Sequence, residues 1–206
     1  EILKNVTELN FSHNKIGITV GFDRCNFSHL SMVNLSNNLL ATLPADFLQQ
    51  ATSLSTLDLS SNYFVHVPLI SVSVNNLPNL KQLDLSNNPL TSLYQRDSSS
   101  VKRYRLEKLD VSGTNLSIIM SRDFEAFPQI THLYLSRNYI ARVSASAFQQ
   151  LPNLLTLDLS ANEIEFLPQN RLQYSTRLRL LNLTQNRIQK LNQFINFNII
   201  NFDHRK

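Results

Sequence analysis

The chain has 206 residues, a net charge of +4 and a sequence pI near 9.3. This positive charge is modest for a surface that binds nucleic acid, and no apolar run is long enough to cross a bilayer as a helix. The length accommodates one domain and requires no second, so we expect residues 1–206 to form a single domain.

A pattern of apolar and asparagine positions recurs eight times along the chain. The clearest copies read LSTLDLSSNYF and LLTLDLSANEI, with apolar residues at positions one, four, six and eleven and asparagine at position nine. Successive copies are spaced by 24 or 26 residues, and this period and pattern are typical of a leucine-rich repeat solenoid. The repeats begin at Val6, Leu30, Leu54, Leu80, Leu106, Ile130, Leu154 and Leu178.

Each repeat contains one short predicted strand. Leu57, Asp58 and Leu59 alternate apolar, polar and apolar, which is the period of a strand that buries one face. Stacked repeats place these strands in a curved parallel sheet, with Asp58 pointing outward on the concave face. The predicted fold class is therefore α/β: a leucine-rich repeat solenoid of about eight repeats, with loops and short helical turns on the convex face.

The asparagine position predicts a buried turn directly after each strand. An asparagine amide offers both a donor and an acceptor, so it can satisfy backbone groups of the turns above and below it. Repeat five has Thr114 at this position, and the two longer spacings flank repeat four. We therefore expect the ladder of hydrogen bonds made by the asparagine side chains to be weakest at repeats four and five. The column consists of Asn14, Asn38, Asn62, Asn88, Asn138, Asn162 and Asn186.

Two further sets of apolar residues are predicted to complete the core. Phe124 and Phe148 lie 18 residues after the first apolar residue of their repeats, and Phe47 lies one residue from that register. Large buried side chains at these places would fill the coil from the convex side. The second set follows the asparagine by five residues and comprises Leu43, Val67, Leu93, Ile119, Val143, Leu167 and Leu191.

The two ends of the repeat array lack recognisable caps. The ends of a solenoid expose its apolar interior and need a polar covering, and at the 24-residue spacing Phe202 would open a ninth repeat. We therefore expect an interior piece of a longer protein or of an assembly. The single cysteine, Cys25, is expected to be a buried thiol, with a partner outside the chain as the alternative.

The repeats resemble those of extracellular leucine-rich repeat proteins over essentially the whole chain. The stretches LDLSSN, LDLSNN, LYLSRN and LDLSAN, with a phenylalanine late in the repeat, are similar to the ectodomains of Toll-like receptors and of chaoptin-like adhesion proteins. This resemblance implies non-catalytic recognition of a protein ligand or a dimer partner. It leaves open an innate immune or developmental receptor, an adhesion protein and a nucleic-acid-sensing receptor.

Six tripeptides fit the acceptor pattern for N-glycosylation, which favours the secretory pathway and an extracellular or cell-surface location, with the endosomal lumen as the alternative. Asn10, Asn34 and Asn182 occupy the outward strand position of repeats one, two and eight, so glycans there would leave free concave surface only on repeats three to seven. The candidate acceptors are Asn5, Asn10, Asn26, Asn34, Asn115 and Asn182.

The outward strand residues form the candidate partner-binding surface. Asp58, Asp84 and Asp110 would stack about 4.8 Å apart, and a basic group would relieve their repulsion, although aspartate is also common here for structural reasons. Repeat six is the most individual, because tyrosine and arginine are enriched at binding hot spots. The candidates are Asp58, Asp84, Glu107, Lys108, Asp110, His132, Tyr134, Arg137 and Asp158.

The sequence offers no candidate for catalysis, a metal or a cofactor. The five histidines lack metal-ligand spacing, and no phosphate-binding glycine loop or nucleophile motif occurs. Nucleic-acid binding is disfavoured because the central outward column is acidic. The segment from Lys102 to Arg105 is expected to be a solvated loop, with contact to a partner as the alternative.

Overall fold

A computed structural model describes residues 3–19, 27–69, 71–72, 75–94, 104–165 and 174–189, together with the backbone of 200–201. Cys25, Asn26, Lys102 and Arg103 lie outside the described residues, as do Leu167, Leu191 and Phe202.

Short parallel strands, one from each repeat, form a nine-stranded sheet in the order β1-β2-β3-β4-β5-β7-β9-β10-β11, and β6 pairs with β8 in a second, two-stranded sheet. The strands are β1 Glu8–Asn10, β2 Met32–Asn34, β3 Thr56–Asp58, β4 Gln82–Asp84, β5 Lys108–Asp110, β6 Ile118–Ile119, β7 His132–Tyr134, β8 Arg142–Val143, β9 Thr156–Asp158, β10 Leu180–Asn182 and β11 Ile200–Asn201. This parallel solenoid confirms the predicted leucine-rich repeat fold.

The strand register follows from the alternation of the sequence. Leu57 pairs with Leu83 and Asp58 with Asp84, so equivalent repeat positions lie side by side. Leu57 is fully buried, because the middle residue of the strand points into the coil. The outward residues on either side stay half-buried or exposed along the concave face. A one-residue slip would exchange the two sets, and this fixes the register.

A ninth strand is present, but the predicted 24-residue spacing is wrong for it. Ile200 pairs with Leu181, 19 residues earlier in the chain. The first apolar position of a regular ninth repeat would be Phe202, two residues after this pairing. The connection before β11 is therefore shorter than in the other repeats.

The asparagine ladder is confirmed, with a more exact set of partners than expected. In Asn162, Nδ2 donates to the carbonyls of Leu159 and Ser160 in its own turn and to Leu135 of the preceding repeat, at 2.9–3.1 Å. Its Oδ1 accepts the Ile140 N–H, also in the preceding repeat, at 3.0 Å. From Asn38 to Asn186, each amide thus binds its own turn and the turn before it, and does not reach the turn after it. Asn14 in repeat one departs from the prediction, because it is exposed and binds only within its own turn.

Thr114 lies in the asparagine column but makes fewer bonds. Its hydroxyl donates to Val111 O at 3.1 Å and to Asn138 Oδ1 at 2.6 Å, and neither acceptor is in repeat four. In the described part of repeat four, Leu85 O and Leu90 N therefore lack the side-chain bonds that an asparagine at position 114 would provide. Strand pairing between β4 and β5 continues without interruption, so only the side-chain ladder is broken.

Thr114→Asn is expected to raise the free energy of unfolding by about 1 kcal/mol, because it adds one donor and one acceptor for buried backbone groups. Urea denaturation of the parent and variant chains measures the change. Thr114→Val, which removes the hydroxyl and adds no amide, is the matched control and should destabilise. A strong loss of stability in Thr114→Asn would contradict this account of the repeat-five turn.

The convex side consists of short hydrogen-bonded turns, and the described residues include no helix. Phe47, Phe124 and Phe148 are buried, as predicted, and the last two stack with ring centroids 5.9 Å apart and planes 20° apart. In the second apolar set, Val67, Leu93, Ile119 and Val143 are buried and Leu43 is half-buried. The described members of both sets therefore belong to the core.

Tyr104 departs from the loop prediction. Its ring is buried 5.3 Å from Phe127, and its hydroxyl donates to Leu69 O at 3.0 Å. Burial raises the pKa of this phenol to about 12. Tyr104 is therefore part of the core next to the widened loop and is not available to a partner, whereas Arg105 beside it is exposed.

Candidate recognition surface on the concave face

A cleft of about 260 Å³ lies on the concave face over β2 to β5. It arises because equivalent outward side chains of adjacent strands stack in rows, and the rows differ in length and chemistry from repeat to repeat. Its lining residues are Met32, Asn34, Thr56, Leu57, Asp58, Gln82, Leu83, Asp84 and Lys108. Three of the predicted partner-binding residues, Asp58, Asp84 and Lys108, thus share one depression.

The aspartates of the central column also have a structural role. Oδ1 of Asp58 accepts the N–H of Ser60 two residues later, at 2.9 Å, and Asp84, Asp110 and Asp158 repeat this contact. Asparagine does the same at the ends of the array, in Asn10, Asn34 and Asn182. Either residue can close this turn, so the negative charge itself is not needed for folding.

Charge is concentrated where three carboxylates are adjacent. Asp84 is paired in register with Asp58 on one side and Asp110 on the other. Burial raises the pKa of Asp84, hydrogen bonds from Ser86 oppose the shift, and Asp110 and Asp58 add to it. A cationic group placed in the cleft would offset both the burial of this charge and its repulsion by the neighbours.

Asp84→Asn should stabilise the chain at neutral pH, by no more than about 1 kcal/mol because the site is partly solvated. Because the pKa of Asp84 is raised in the folded chain, the protonated form of Asp84 favours folding. This contribution to stability is fully present below the unfolded pKa and is lost as the pH rises through the folded pKa. The gain should therefore vanish in acid.

Urea denaturation at neutral and acidic pH tests this expectation. Asp158→Asn is the matched control, because Asp158 is flanked by Tyr134 and Asn182 instead of carboxylates, and its gain should be smaller. A pH-independent gain in Asp84→Asn would contradict the account.

Tyr134 interrupts the aspartate column and carries a cation at its ring. Lys108 Nζ lies 5.4 Å from the centre of the ring, within the range of a cation–π contact. Tyr134 is in register with Asp110 and Asp158 on the adjacent strands. The tyrosine therefore provides an apolar, half-buried platform between carboxylates, with the Lys108 ammonium bridging it to the cleft.

The other predicted residues around this rung separate into different roles. His132 lies beside Thr131, whose hydroxyl is 2.8 Å from Nδ1 and 3.0 Å from Glu107 O. Arg137 is exposed in the turn after the strand, where its φ of 53° is the left-handed conformation found at this position in every described repeat. The side chain of Glu107 forms an ion pair with Lys81 at 2.9 Å. Lys81 thus adds a second lysine beside the predicted pair of Glu107 and Lys108.

Sequence reasoning did not select Met32, Thr56 and Gln82, which line the cleft. Met32 is 39% exposed and adds a flexible apolar side chain to the wall of the cleft. The signal in the sequence for this apolar contact is at the outward strand position two residues before the aspartate column. Methionine occupies that position in repeat two, whereas the next repeats have polar residues there. Of this row, the predicted partner-binding residues include only Lys108 and His132.

Five of the candidate glycosylation acceptors lie among the described residues. Asn5, Asn10 and Asn115 are exposed, whereas Asn34 and Asn182 are half-buried. Asn34 is in register with Asp58 and lines the cleft, so a glycan there would cover one end of it.

The described residues contain no group of three or more His, Cys, Asp or Glu side chains arranged to hold a metal ion. Within the same part of the chain, no helix has the length and apolarity required to span a membrane.

Family models match the chain over most of the repeat array. Leucine-rich repeat models match residues 78–140 and 128–188, and a further leucine-rich repeat model matches residues 3–17. The chain belongs to the leucine-rich repeat family.

Individual relatives share this architecture over part of their length. The chain is 32% identical to chaoptin of Drosophila melanogaster over 108 residues, which is 52% of this chain and 8% of chaoptin. It is 31% identical to Tsukushi of Xenopus tropicalis over 137 residues, 66% of this chain and 37% of that protein. A solved TLR13–ssRNA13 complex aligns with a TM-score of 0.65 and 23% identity, covering 90% of this chain and 29% of that one. The last likeness concerns the fold alone.

Proposed function

We propose that the chain is a non-catalytic recognition module of a Toll-like innate immune or developmental receptor, and that its concave face binds a protein ligand. The observation that carries this proposal is the cleft over β2 to β5 with its adjoining Lys108–Tyr134 contact. It combines an exposed methionine, an aromatic platform and excess carboxylates on strands whose register is fixed.

The chemistry of this surface favours a ligand with basic side chains. Asp58, Asp84 and Asp110 each use Oδ1 for a turn, and a cation would relieve the charge repulsion among them. Met32 and Tyr134 add the flexible apolar and rigid aromatic contacts that contribute strongly at protein interfaces. A lysine or arginine flanked by apolar residues fits this combination.

Nucleic-acid sensing fits the same surface less well. A phosphate backbone is bound by clustered lysine and arginine, whereas the described central column of β3 to β9 offers four carboxylates and one tyrosine. Adhesion is the second candidate function, favoured by the similarity to chaoptin over half of the chain. Both alternatives use the same solenoid but predict different partners.

A binding screen separates these functions. The tagged chain is applied to an array of secreted and cell-surface ectodomains, to itself, and to short single-stranded RNA. We expect a protein other than itself to bind, and Asp58→Asn/Asp84→Asn and Tyr134→Ala to weaken binding by about ten-fold or more. Gln149→Ala, on the exposed convex side, is the control and should bind as the parent does.

Two outcomes of the screen would contradict the proposal. Steeply salt-dependent binding to RNA without a protein ligand would favour the nucleic-acid alternative. A protein ligand that binds both concave variants as well as the parent would show that the concave face is not the site.

We also propose that the chain is extracellular or at the cell surface, with N-glycans on some of its six acceptors. The similarity to chaoptin and Tsukushi supports this location. Glycopeptide mapping of secreted protein is expected to find occupied sites, with Asn5 and Asn10 the most accessible described acceptors on repeat one. Secreted material that is unmodified at all six acceptors would contradict the glycosylation proposal.

A further inference from the structure

Two solvent-facing positions of each repeat lie directly before the strand, one on each side of the first apolar residue. At the second of them, the N–H donates to the carbonyl of the same position in the preceding repeat, as Lys81 does to Ser55 at 2.9 Å and Glu107 to Lys81 at 2.8 Å. Equivalent side chains therefore form two rows along one side of the solenoid. We define the strand-entry flank as residues 79–81, 105–107, 129–131, 153–155 and 177–179, from repeats four to eight.

The strand-entry flank has an excess of positive charge. Its residues include four cations, Lys81, Arg105, Arg177 and Arg179, and one carboxylate, Glu107. Glu107 pairs with Lys81 at 2.9 Å, so these two charges offset each other. The three arginines are exposed and form no ion pair with another described residue. The net charge of the flank is therefore carried by guanidinium groups, which can donate two parallel hydrogen bonds to one oxyanion.

The arginines lie at two places along the flank. Arg105 is in repeat five, three residues before Lys108 at the start of β5. Arg177 and Arg179 are in repeat eight, just before β10, which is three strands further along the sheet. Three spacings of about 4.8 Å separate the two places by about 14 Å. One linear molecule of this length or more could contact both.

The flank between these two places is uncharged. Repeats six and seven contribute the polar side chains of Gln129, Thr131 and Asn153 and the half-buried Leu155. Arg177 Nη1 donates to Asn153 Oδ1 at 3.0 Å, so this arginine lies along the row toward repeat seven. A molecule that follows the flank would meet positive charge at both ends and hydrogen-bonding side chains between them.

The concave face beside the flank has the opposite charge. Its central column carries Asp84, Asp110 and Asp158 in repeats four, five and seven. A polyanion on the flank would be repelled by these carboxylates, which favours a path along the solenoid over one into the cleft. The concave face would thus stay free for a protein ligand.

We propose that the strand-entry flank binds a sulfated glycosaminoglycan chain of the heparan sulfate type, which lies along the solenoid from repeat five to repeat eight. Its sulfate groups accept hydrogen bonds from Arg105 at one end and from Arg177 and Arg179 at the other, and its hydroxyl groups bind the polar side chains between them. This surface is separate from the concave cleft, and the inference rests on the proposed extracellular location, because such polysaccharides are extracellular.

A nucleic acid carries a similar density of negative charge but fits the flank less well. Proteins that bind single strands stack the bases on aromatic side chains. The strand-entry flank contains no aromatic residue, and the ring of Tyr104 beside it is buried. A sulfated polysaccharide requires no such platform, since it is bound through charged and hydroxyl groups.

The experiment measures binding of the full chain to immobilised heparin by surface plasmon resonance. Arg105→Gln/Arg177→Gln/Arg179→Gln is expected to weaken binding by about ten-fold or more and to make it less dependent on salt, because three ionic contacts are lost. Lys15→Gln/Arg122→Gln/Arg142→Gln is the matched control. It removes the same number of exposed cations from outside the flank and should bind nearly as the parent does.

Heparin oligosaccharides of increasing length test the arrangement of the arginines. Oligosaccharides long enough to span about 14 Å should compete about ten-fold or more strongly than shorter ones, because they contact both places at once. This gain with length should disappear in Arg177→Gln/Arg179→Gln, which retains only Arg105. A parent chain that shows no gain with length would contradict contact at both places.

Absence of heparin binding by the parent at physiological salt would overturn the proposal. Equal losses in the two triple variants would also overturn it, since they would show that net charge alone is responsible. Equal binding of desulfated heparin would exclude sulfate as the recognised group, and tighter binding of single-stranded RNA through the same three arginines would assign the flank to nucleic acid instead.

The outcome is separable from that of the concave-face proposal. Asp58→Asn/Asp84→Asn removes carboxylates from the cleft and leaves the flank intact, so it should not weaken heparin binding. A loss of heparin binding in this variant would contradict the assignment of the polysaccharide to the strand-entry flank.

Discussion

Replacement of Phe124 by alanine is expected to lower the free energy of unfolding by about 3–5 kcal/mol. The ring is fully buried and stacks on Phe148 of the next repeat, so the substitution removes apolar burial and leaves a cavity between two coils. In a solenoid each repeat contacts only its neighbours, so no distant part of the chain can compensate. Urea denaturation followed by far-UV circular dichroism measures the loss.

Tyr174→Ala is the comparison for this experiment, because it removes an aromatic ring that is 46% exposed. Its effect should stay within about 0.5 kcal/mol. A loss below about 1 kcal/mol in Phe124→Ala would show that the aromatic residues of the convex side do not pack as a continuous core.

Replacement of Asn162 by alanine is expected to cost about 1–3 kcal/mol by a different mechanism. The substitution deletes the acceptor for Ile140 N–H and the donor for three carbonyls, and all of these groups lie at a buried turn. No water can replace the amide without opening the stack. Asn162→Asp should cost at least as much as Asn162→Ala, because a buried carboxylate oxygen would replace the donor and face three carbonyl oxygens.

Asn14→Ala is the matched control for the ladder. Asn14 bonds only within its own turn, to Phe11 O and Ser12 O, and it is exposed. Its replacement should therefore cost much less than that of Asn162. Equal losses in the two variants would indicate that bonds to the preceding repeat do not contribute.

The sequence predicted the structural features that recur in every repeat. The alternation around Leu57, Asp58 and Leu59 specifies the strand and its buried face, and the asparagine column specifies the turn, because both depend on local periodicity. The position of Thr114 in that column was also correct. These predictions required only that each repeat stack on an equivalent one.

The predictions failed where the chain leaves the repeat. Tyr104 lies in a widened connection whose sequence predicts a solvated loop, although its ring is buried against Phe127. The pairing of Ile200 with Leu181 shortens the final spacing in a way that periodicity cannot show. At Tyr104, packing against the neighbouring coil overrides the exposure that the polar sequence of the loop implies.

The sequence predicts which residues face outward on the concave face, but it does not predict which of their side chains contact each other. Asp58, Asp84 and Lys108 were selected and lie together in the cleft. The ion pair of Glu107 with Lys81 and the place of Met32 in the cleft were not predicted. Side-chain direction and the depth of a depression depend on the shape of the stacked sheet, which a single repeat does not contain.

The two methionines of the chain provide the most direct test of concave-face recognition. Met32 lines the cleft, whereas Met120 directly follows β6 and does not line it, and the two side chains are 39% and 46% exposed. Tyr134 and Tyr139 form a similar pair, because Tyr134 lies next to the cleft and Tyr139 is exposed beyond the turn that follows β7. Hydroxyl-radical footprinting reports the solvent access of these four side chains in one experiment, with and without the protein ligand from the binding screen. We predict that the ligand protects Met32 and Tyr134 and leaves Met120 and Tyr139 unchanged, whereas protection of Met120 and Tyr139 alone would contradict recognition by the concave face.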